Sequence, residues 1–208
     1  MAVLSALYIA ANAVPIDAFI GGAGFITAGI LILPVIARLV RPWESVVVAF
    51  GAPLGLFALQ LSVVPVFGFY GMLIPASAIV LGSLGFRKSY LIPASYIVFG
   101  AAWYASFSSG TPVWLAPYGV AIGLTVVNQI RPFASGTRTE ILFFCLLTTM
   151  CELTTMNIGS VSLLQLPGSL WVIIAPFMFV ERTVAVVGAS SVIGALTKVK
   201  DVLRVGRI

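Results

Sequence analysis

The stretch "VIARLVRPWESVVVAFGAPLG", residues 35–55, decides how the fold is interpreted, because two long apolar runs meet there at a short charged junction. Arg38, Arg41 and Glu44 lie close together around a Pro-Trp pair. Proline cannot continue a helix but suits the first turn of the next one, and tryptophan favours the interface between lipid and water. The stretch therefore predicts a turn between two membrane-spanning helices, with its charges where the lipid ends.

The composition of the chain supports insertion into a membrane. Of its 208 residues, 61% are hydrophobic and 8% are charged, and the mean hydropathy is +1.15. A soluble domain carries roughly 25% charged residues. Because no polar block is long enough to form a domain outside the lipid, we expect residues 1–208 to form a single transmembrane helical domain of a multi-pass protein in the cell (plasma) membrane.

The spans are predicted to be helical rather than strands of a barrel. Transmembrane strands alternate apolar and polar residues over about ten positions, whereas "LSVVPVFGFYGMLIPASAIVLG", residues 61–82, is apolar on every face. A helix needs ~20 residues to cross a ~30 Å hydrocarbon core. We therefore expect an all-α polytopic bundle of about six to eight transmembrane helices. Eight apolar runs lie near residues 2–16, 21–40, 44–64, 68–86, 89–108, 112–130, 139–159 and 169–197.

The last run is long enough to hold a re-entrant piece followed by a helix that starts near Pro176.

Basic residues occur at every second junction, which sets the orientation of the bundle. By the positive-inside rule, the basic junctions and both termini, N and C, are cytoplasmic. Arg182, beside Glu181, is the basic residue that departs from this pattern. The basic residues that conform to the pattern are Arg38, Arg41, Arg87, Lys88, Arg131, Arg138, Lys198, Lys200, Arg204 and Arg207.

The residue inventory removes most catalytic chemistries. The chain has no histidine, and its two cysteines, Cys145 and Cys151, lie on one span. These residues cannot assemble the usual zinc site or a Ser-His-Asp or Cys-His nucleophile. We therefore predict that the protein is not an enzyme and uses no metal or cofactor, although two neighbouring carboxylates would in principle suffice for an intramembrane enzyme. Nucleic acid is not an expected partner, because the basic residues are spread in ones and twos.

Ionisable side chains inside the membrane require an explanation, because each costs about 2.5–3.5 kcal/mol on insertion scales. Glu152 lies within "TTMCELTTMN", residues 148–157, and Glu181 follows Pro176 by five residues. On the predicted topology both belong to the outer half of the membrane. The remaining carboxylates are interpreted as ordinary junction residues, namely Asp17, Glu44, Glu140 and Asp201.

Two interpretations of these buried charges stay open. In the first, Arg182 neutralises Glu152 from a neighbouring helix and the pair is structural. In the second, the polar residues line a substrate pocket open to the outside, in which aromatic rings stack on a flat heterocycle. Two carboxylates against one arginine lean toward an amine-bearing or cationic solute. The candidate pocket residues are Glu152, Asn157, Glu181, Arg182, Trp171, Gln165, Tyr70 and Asn12.

Two patterns concern contacts between helices. Ala2, Ala6 and Ala10 recur at four-residue spacing, and such a smooth face lets another helix approach closely, either within this chain or from a partner. The segments "LIPASAIVLG" (73–82) and "LIPASYIVFG" (91–100) share eight of ten residues. Because consecutive spans run in opposite directions, the second pattern is either a short inverted repeat or a coincidence within a restricted membrane alphabet.

The order of these features resembles the substrate-binding S component of energy-coupling factor (ECF) vitamin transporters. In that family a helix with alanines at four-residue spacing precedes a proline-containing loop, a second helix and a Gly-Pro-Trp-like turn. The matching stretches are "AVLSALYIAANAVPI" (2–16), "GFITAGILILPVIARLVRPWESVVVAFGAPLG" (24–55) and the closing "IAPFMFVERTVAVVGASSVIGAL" (174–196). Two features depart from the pattern: Arg41 replaces the glycine, and eight spans exceed the usual six by a hairpin near 112–158.

The resemblance implies a subunit that binds a small water-soluble vitamin or cofactor precursor for uptake. The face of Ala2, Ala6 and Ala10 would then dock on a transmembrane coupling subunit served by cytoplasmic ATPases. The S component would hydrolyse nothing itself, and the chain contains no G-x-x-x-x-G-K-[ST] loop. The alternative is a small ion channel or a self-contained secondary transporter, with Glu152 and Glu181 as conduction or coupling sites.

Overall fold

The computed structural model describes residues 1–14, 27–59 and 64–205 of the chain, of which 64, 65 and 199–205 are described by their backbone alone. The predicted end of the first span and the predicted start of the second lie outside these residues. Two 3₁₀ turns, Gly68–Met72 and Pro112–Leu115, lead into longer helices. The helices are α1 (Ala2–Asn12), α2 (Gly29–Leu39), α3 (Pro42–Leu59), α4 (Val64–Phe67), α5 (Leu73–Arg87), α6 (Leu91–Phe107), α7 (Ala116–Ile130), α8 (Arg138–Ser162) and α9 (Gly168–Val205).

The prediction of an all-α polytopic membrane protein is confirmed. Within the described ranges, eight helices have eleven or more residues, and α4 is a single turn. Five segments are long and apolar enough to cross a membrane, and α1, α2 and α6 are shorter apolar helices. The orientation of the bundle stays a prediction from the basic junctions.

The predicted turn at residues 40–44 separates α2 from α3. Val40 is extended and ends α2, and Pro42 opens α3. The Glu44 carboxylate accepts a hydrogen bond from the backbone N–H of Arg41 at 2.8 Å, which satisfies one of the donors left over at a helix start. A charged residue therefore caps the new helix where the apolar run is interrupted.

Helix α8 is the central element of the bundle. It packs against α2, α5, α6, α7 and α9, and most of its residues are buried. Its hydroxyl groups are satisfied partly within the helix, since Thr148 and Thr149 donate to the carbonyls of Phe144 and Cys145 at 2.9 and 3.0 Å. This bonding lets Thr148 and Thr149 lie in an apolar core with their hydroxyl groups paired, whereas the buried hydroxyl group of Thr154 on the same helix has no partner among the described residues.

The two copies of the "LIPAS" repeat pack against the same helix, α8. Gly82, which ends the first copy, contacts Thr148, and Gly100, which ends the second, contacts Thr154. In addition, the Thr155 hydroxyl bonds Ser77 at 2.6 Å and Tyr96 at 2.8 Å, one from each copy. The repeat therefore places a glycine at the same position of two helices that pack against α8, whereas the two residues that bond Thr155 come from different positions of the repeat.

Glu140 is not an ordinary junction carboxylate, and its interpretation as one is corrected. It is only 4% exposed and forms a two-pronged bond with Arg38, with both N···O distances 3.2 Å. The hydroxyl group of Tyr90 donates to the same carboxylate at 2.5 Å. Burial and this hydrogen bond both raise the pKa of Tyr90. The α2, α6 and α8 ends at this junction are thus joined by one polar network.

A neighbouring arginine extends this network to α5. Arg87 donates from Nε to the carbonyl of Val40 at 3.0 Å, where the end of α2 leaves an unpaired acceptor. The guanidinium of Arg38 lies 4.2 Å from the ring centre of Phe86, a cation–π contact. Four helices therefore meet at the predicted cytoplasmic side through arginine side chains.

Helix α9 runs without interruption through Pro176, so the alternative of a re-entrant piece before that residue is wrong. Proline removes one backbone hydrogen bond, but neighbouring helices can hold a proline-containing helix together in a membrane. The start of α9 therefore lies at Gly168, beside the end of α8, rather than deep in the bundle.

Candidate functional site

The main candidate site is a cavity of about 250 Å³ between the end of α8 and the start of α9. We call it the outer cavity, because it lies opposite the basic junctions. The loop between α8 and α9, the turn Pro112–Leu115 and residues of α4 complete its wall. The lining residues are Val66, Phe67, Trp114, Met156, Asn157, Ser160, Leu164, Leu166, Leu170, Trp171, Ile174 and Met178.

Two buried tryptophans form one wall of the outer cavity. Trp114 and Trp171 are each 2% exposed, and their ring centres lie 4.8 Å apart at an interplanar angle of 73°. Tyr104 packs edge-on against Trp171 with ring centres 5.1 Å apart. Trp114 belongs to the 3₁₀ turn Pro112–Leu115. Thr111 caps the start of this turn, because its hydroxyl oxygen accepts a hydrogen bond from the backbone N–H of Val113. Aromatic walls of this kind suit a flat apolar ligand.

Asn157 and Trp114 each keep a buried polar atom without a hydrogen-bond partner among the described residues. The Asn157 amide nitrogen donates to the hydroxyl oxygen of Tyr118 at 2.6 Å, but its Oδ1 accepts nothing. The indole N–H of Trp114 likewise donates to nothing, whereas that of Trp171 donates to the carbonyl of Leu166 at 3.2 Å. Both atoms are enclosed by protein rather than open to the cavity, whose accessible wall is almost entirely apolar.

The buried charges form a separate cluster deeper along the same helices. Arg182 on α9 lies 2.6 Å from the Glu152 carboxylate on α8 and 3.4 Å from that of Glu181. Its Nη1 also donates to the carbonyl of Thr149 at 3.1 Å. The Arg182 side chain is 5% exposed, so this cluster lies inside the protein. With all three groups ionised, it carries one negative charge in excess.

The predicted pocket residues thus divide into groups rather than sharing one surface. Asn157 and Trp171 line the outer cavity, and Glu152, Glu181 and Arg182 form the charged cluster. The first interpretation of the charges, an ion pair between Arg182 and Glu152, describes their geometry. Nothing in the lining of the outer cavity carries a charge.

The three other predicted residues lie in different surroundings. Gln165 is exposed and lines a second outer cavity, of about 390 Å³, with Trp103, Ser108 and Ser162 among its neighbours. Tyr70 donates its hydroxyl group to the carbonyl of Thr155 at 2.7 Å and contacts Gly159, so it supports the wall of α8.

Asn12 lies on α1, away from the outer cavity lining. It is 4% exposed, donates to the carbonyl of Tyr8 at 2.8 Å and accepts from the Thr27 hydroxyl at 2.7 Å. Gly29 packs against the same side chain. Asn12 therefore joins α1 to the start of α2.

Sequence reasoning missed Trp114 and Tyr118, the most informative neighbours of Asn157 and Trp171. A signal was present, because Trp114 follows the uncharged outer junction "SSGTP" and a proline-containing helix start. The side chains of Phe67, Met156 and Met178 were also missed, and single apolar residues in an apolar chain offer no comparable signal.

The alanine face of α1 is exposed. Ala2, Ala6 and Ala10 all lie on the surface, whereas Tyr8 and Asn12 face the bundle. Ile9, which is partly buried, contacts Gly55 of α3. The alanines are therefore not used for packing against the described helices of this chain.

The fold and these sites define a polytopic α-helical membrane protein with a small outer cavity and a buried charged cluster. Within the described residues, His, Cys, Asp and Glu form no group of three that could hold a metal ion. Comparison of the chain with protein-family models, curated proteins and solved structures found no match.

Proposed function

We propose that this chain is the membrane-embedded solute-binding subunit of an uptake transporter in the cell membrane, of the kind represented by the S components of ECF transporters. The outer cavity is the observation that carries the proposal. It has an apolar wall that includes the rings of Trp114 and Trp171, and it lies at the end of the bundle opposite the basic junctions. Ligand sites are typically apolar clefts with a few polar groups that set orientation. A small water-soluble vitamin or cofactor precursor is the solute class that the proposal names.

The opposite end of the bundle supports uptake from the outside. There, the Arg38–Glu140 pair, Tyr90 and Arg87 join α2, α5, α6 and α8 into one polar network. A solute that leaves the outer cavity toward the cytoplasm would have to pass these joined helices. Release into the cell would therefore require work from another component, which is the role of a coupling module.

The exposed alanine face of α1 is the surface proposed for that coupling module. Ala2, Ala6 and Ala10 present small side chains outward along the helix. In lipid, close packing against small residues is a principal source of helix association. The proposed partner is a transmembrane coupling subunit with cytoplasmic ATPases.

Native mass spectrometry of the gently purified protein tests the proposal. We expect a stoichiometric small organic molecule and co-purifying coupling and ATPase subunits. The Ala6→Leu variant should lose the subunits, and Ala105→Leu, at an exposed alanine of α6, serves as the matched control. A homogeneous preparation with neither ligand nor subunits, from cells that contain both, contradicts the proposal.

The charged cluster favours a second candidate, a small ion channel or self-contained secondary transporter. Glu152, Glu181 and Arg182 lie inside the bundle with one negative charge in excess, which is a common setting for a coupling ion. Ion flux through the purified protein alone in liposomes, abolished by Glu152→Gln, would support this candidate. Flux that persists in Glu152→Gln, or no flux at all, would count against it.

A further inference from the structure

The turn between α2 and α3 and the end of α5 bring three cations together at the basic end of the bundle. We propose that Arg41, Arg87 and Lys88, which we call the basic corner, bind the phosphate headgroup of an anionic phospholipid in the adjacent leaflet. On the predicted topology this is the inner leaflet. The inference goes beyond the proposed function, because it assigns a lipid site at the end of the bundle opposite the outer cavity.

The position of the cations is the first argument. Arg87, in the last turn of α5, donates from Nε to the carbonyl of Val40 at 3.0 Å and from Nη2 to the carbonyl of Arg38 at 3.3 Å. Arg41 directly follows Val40, and Lys88 directly follows Arg87. The basic corner is therefore built from two distant segments of the chain that meet at the end of α2.

The charge of the basic corner is the second argument. Arg41, Arg87 and Lys88 are all exposed, and none of them forms an ion pair with a described residue. The hydrogen bonds of Arg87 go to backbone carbonyls, which carry no net charge. The neighbouring Arg38 differs, because Glu140 already neutralises it at 3.2 Å. The three cations of the basic corner are thus available to an anion from outside the protein.

Glu44, the nearby carboxylate, cancels only part of this charge. It accepts a hydrogen bond from the backbone N–H of Arg41 at 2.8 Å, and one carboxylate against three cations leaves a formal charge of +2. The start of α3 at Pro42 adds the positive end of a helix dipole at the same place. Anionic headgroups are attracted to clustered basic residues at the membrane surface.

An apolar face on α3 is the third argument, and it favours a lipid over a free phosphate ion. Trp43 is 63% exposed, and Val47, Phe50 and Leu54 are also exposed. Their spacings of four, three and four residues place them along one face of the helix. Tryptophan favours the interface between lipid and water. The face therefore leads from the basic corner into the hydrocarbon region, where it contacts the acyl chains of the same lipid.

Native mass spectrometry of the full-length protein in detergent tests the inference. Dioleoyl phosphatidylglycerol and dioleoyl phosphatidylcholine are added stepwise in separate titrations. We expect one phosphatidylglycerol molecule to bind at least tenfold more tightly than phosphatidylcholine and to raise the melting temperature. Equal affinities for the two lipids would overturn the inference. Glycerophosphate, which has the phosphate but no acyl chains, should not displace the bound lipid, and displacement at equal concentration would reject a lipid as the occupant.

Single substitutions assign the binding to the basic corner. Arg87 is left unchanged, because its hydrogen bonds join α5 to the end of α2. The side chains of Arg41 and Lys88 form no hydrogen bond or ion pair with a described residue, so Arg41→Gln and Lys88→Gln should both fold. We expect each to weaken phosphatidylglycerol binding about fivefold.

Arg131→Gln is the matched control for these substitutions. Arg131 is exposed at another basic junction, so its loss removes the same charge from the same end of the bundle. Because salt screens charges beyond about 10 Å, we expect it to change the affinity by less than about twofold. Equal weakening in all three variants would indicate a diffuse attraction to surface charge and would contradict a site at the basic corner.

Brominated acyl chains locate the bound lipid by a measurement other than affinity. Bromine quenches tryptophan fluorescence at short range, so brominated phosphatidylglycerol should quench the protein more than brominated phosphatidylcholine does. We expect this difference to disappear in Trp43→Phe and to remain in Trp103→Phe, since Trp103 lines the second outer cavity. A difference that persists in Trp43→Phe would place the lipid away from the start of α3 and refute the proposal.

Discussion

Arg182 on α9 and Glu152 on α8 form a buried ion pair with an N···O distance of 2.6 Å. The same guanidinium lies 3.4 Å from Glu181 and donates to the carbonyl of Thr149. Arg182 therefore pairs with two carboxylates and donates to one backbone carbonyl, and it joins α8 to α9. This arrangement explains how a strongly apolar chain tolerates three ionisable groups in its interior.

Removal of Arg182 should destabilise the protein strongly. Arg182→Met leaves two carboxylates near one another without their common cation, and breaking a buried pair from one side costs about 3–5 kcal/mol. The Arg182→Met/Glu152→Gln double variant should be less destabilised, because only one carboxylate then lacks its partner. Unfolding in detergent by SDS titration measures both.

Arg131→Met is the control for this experiment. Arg131 is exposed at a basic junction, so its loss should change the free energy of unfolding by about 0.5 kcal/mol or less. A double variant as unstable as the sum of its two single variants would show that Glu152 and Arg182 do not interact.

Gly82→Ala should destabilise the contact between α5 and α8. A β-carbon at Gly82 would lie 2.7 Å from the Thr148 hydroxyl oxygen and 3.0 Å from the β-carbon of Ala37, and overpacking of this kind costs about 1–3 kcal/mol. Thr148→Ala in the same chain should recover part of that loss. Gly123→Ala on α7 meets no atom within 4 Å and should be neutral or stabilising. Equal effects of the two glycine substitutions on the melting temperature would contradict close packing at Gly82.

The orientation of the bundle can be measured by cysteine labelling, because native Cys145 and Cys151 are both buried. Ser109→Cys lies at an uncharged junction and should react with a membrane-impermeant maleimide in intact cells. Ser135→Cys lies between Arg131 and Arg138 and should react only after the membrane is opened. The reverse pattern would invert the topology and place the outer cavity on the cytoplasmic side.

The network around Tyr90 predicts a loss of stability at high pH. Its pKa in the folded protein is raised above the ordinary value of 10.0 by burial and by the Glu140 carboxylate, so the fold favours the neutral phenol. Its contribution to stability is fully present below pH 10 and declines as the pH rises above that value toward the pKa of the folded state. Tyr90→Phe should reduce the decline in melting temperature between pH 9 and pH 11 relative to the wild-type protein. Identical pH profiles would show that Tyr90 does not contribute.

Much of the helical architecture could be predicted from the chain because hydrophobic content acts locally. Runs of apolar residues near the length of a membrane crossing predicted the eight helices of eleven or more residues in the described part of the chain, and the Pro-Trp turn marked the boundary between α2 and α3. The sequence left open a re-entrant piece before Pro176, and it could not exclude one because the residues that support a proline within a helix come from other elements. Glu140 was misjudged for a related reason, since its partner Arg38 lies 102 positions earlier in the sequence.

The candidate site was predicted only in part, and the reason is geometric. Asn157 and Trp171 were identified because polar and aromatic residues near outer helix ends are unusual in such a chain, and both line the outer cavity. Trp114 comes from a distant turn, and its ring centre lies 4.8 Å from that of Trp171 because that turn packs against α9. Periodicity along one helix does not report which helix lies opposite.

The sequence by itself determined that this protein is a helical membrane protein, because burying an apolar chain in lipid depends on composition and run length alone. The tertiary structure decided how the polar residues are divided. It paired Arg182 with Glu152 and Glu181, left the alanine face of α1 exposed, and brought Trp114 and Trp171 together in the wall of one cavity. Those outcomes depend on which distant segments meet, and contacts between helices arise only when the bundle closes around α8.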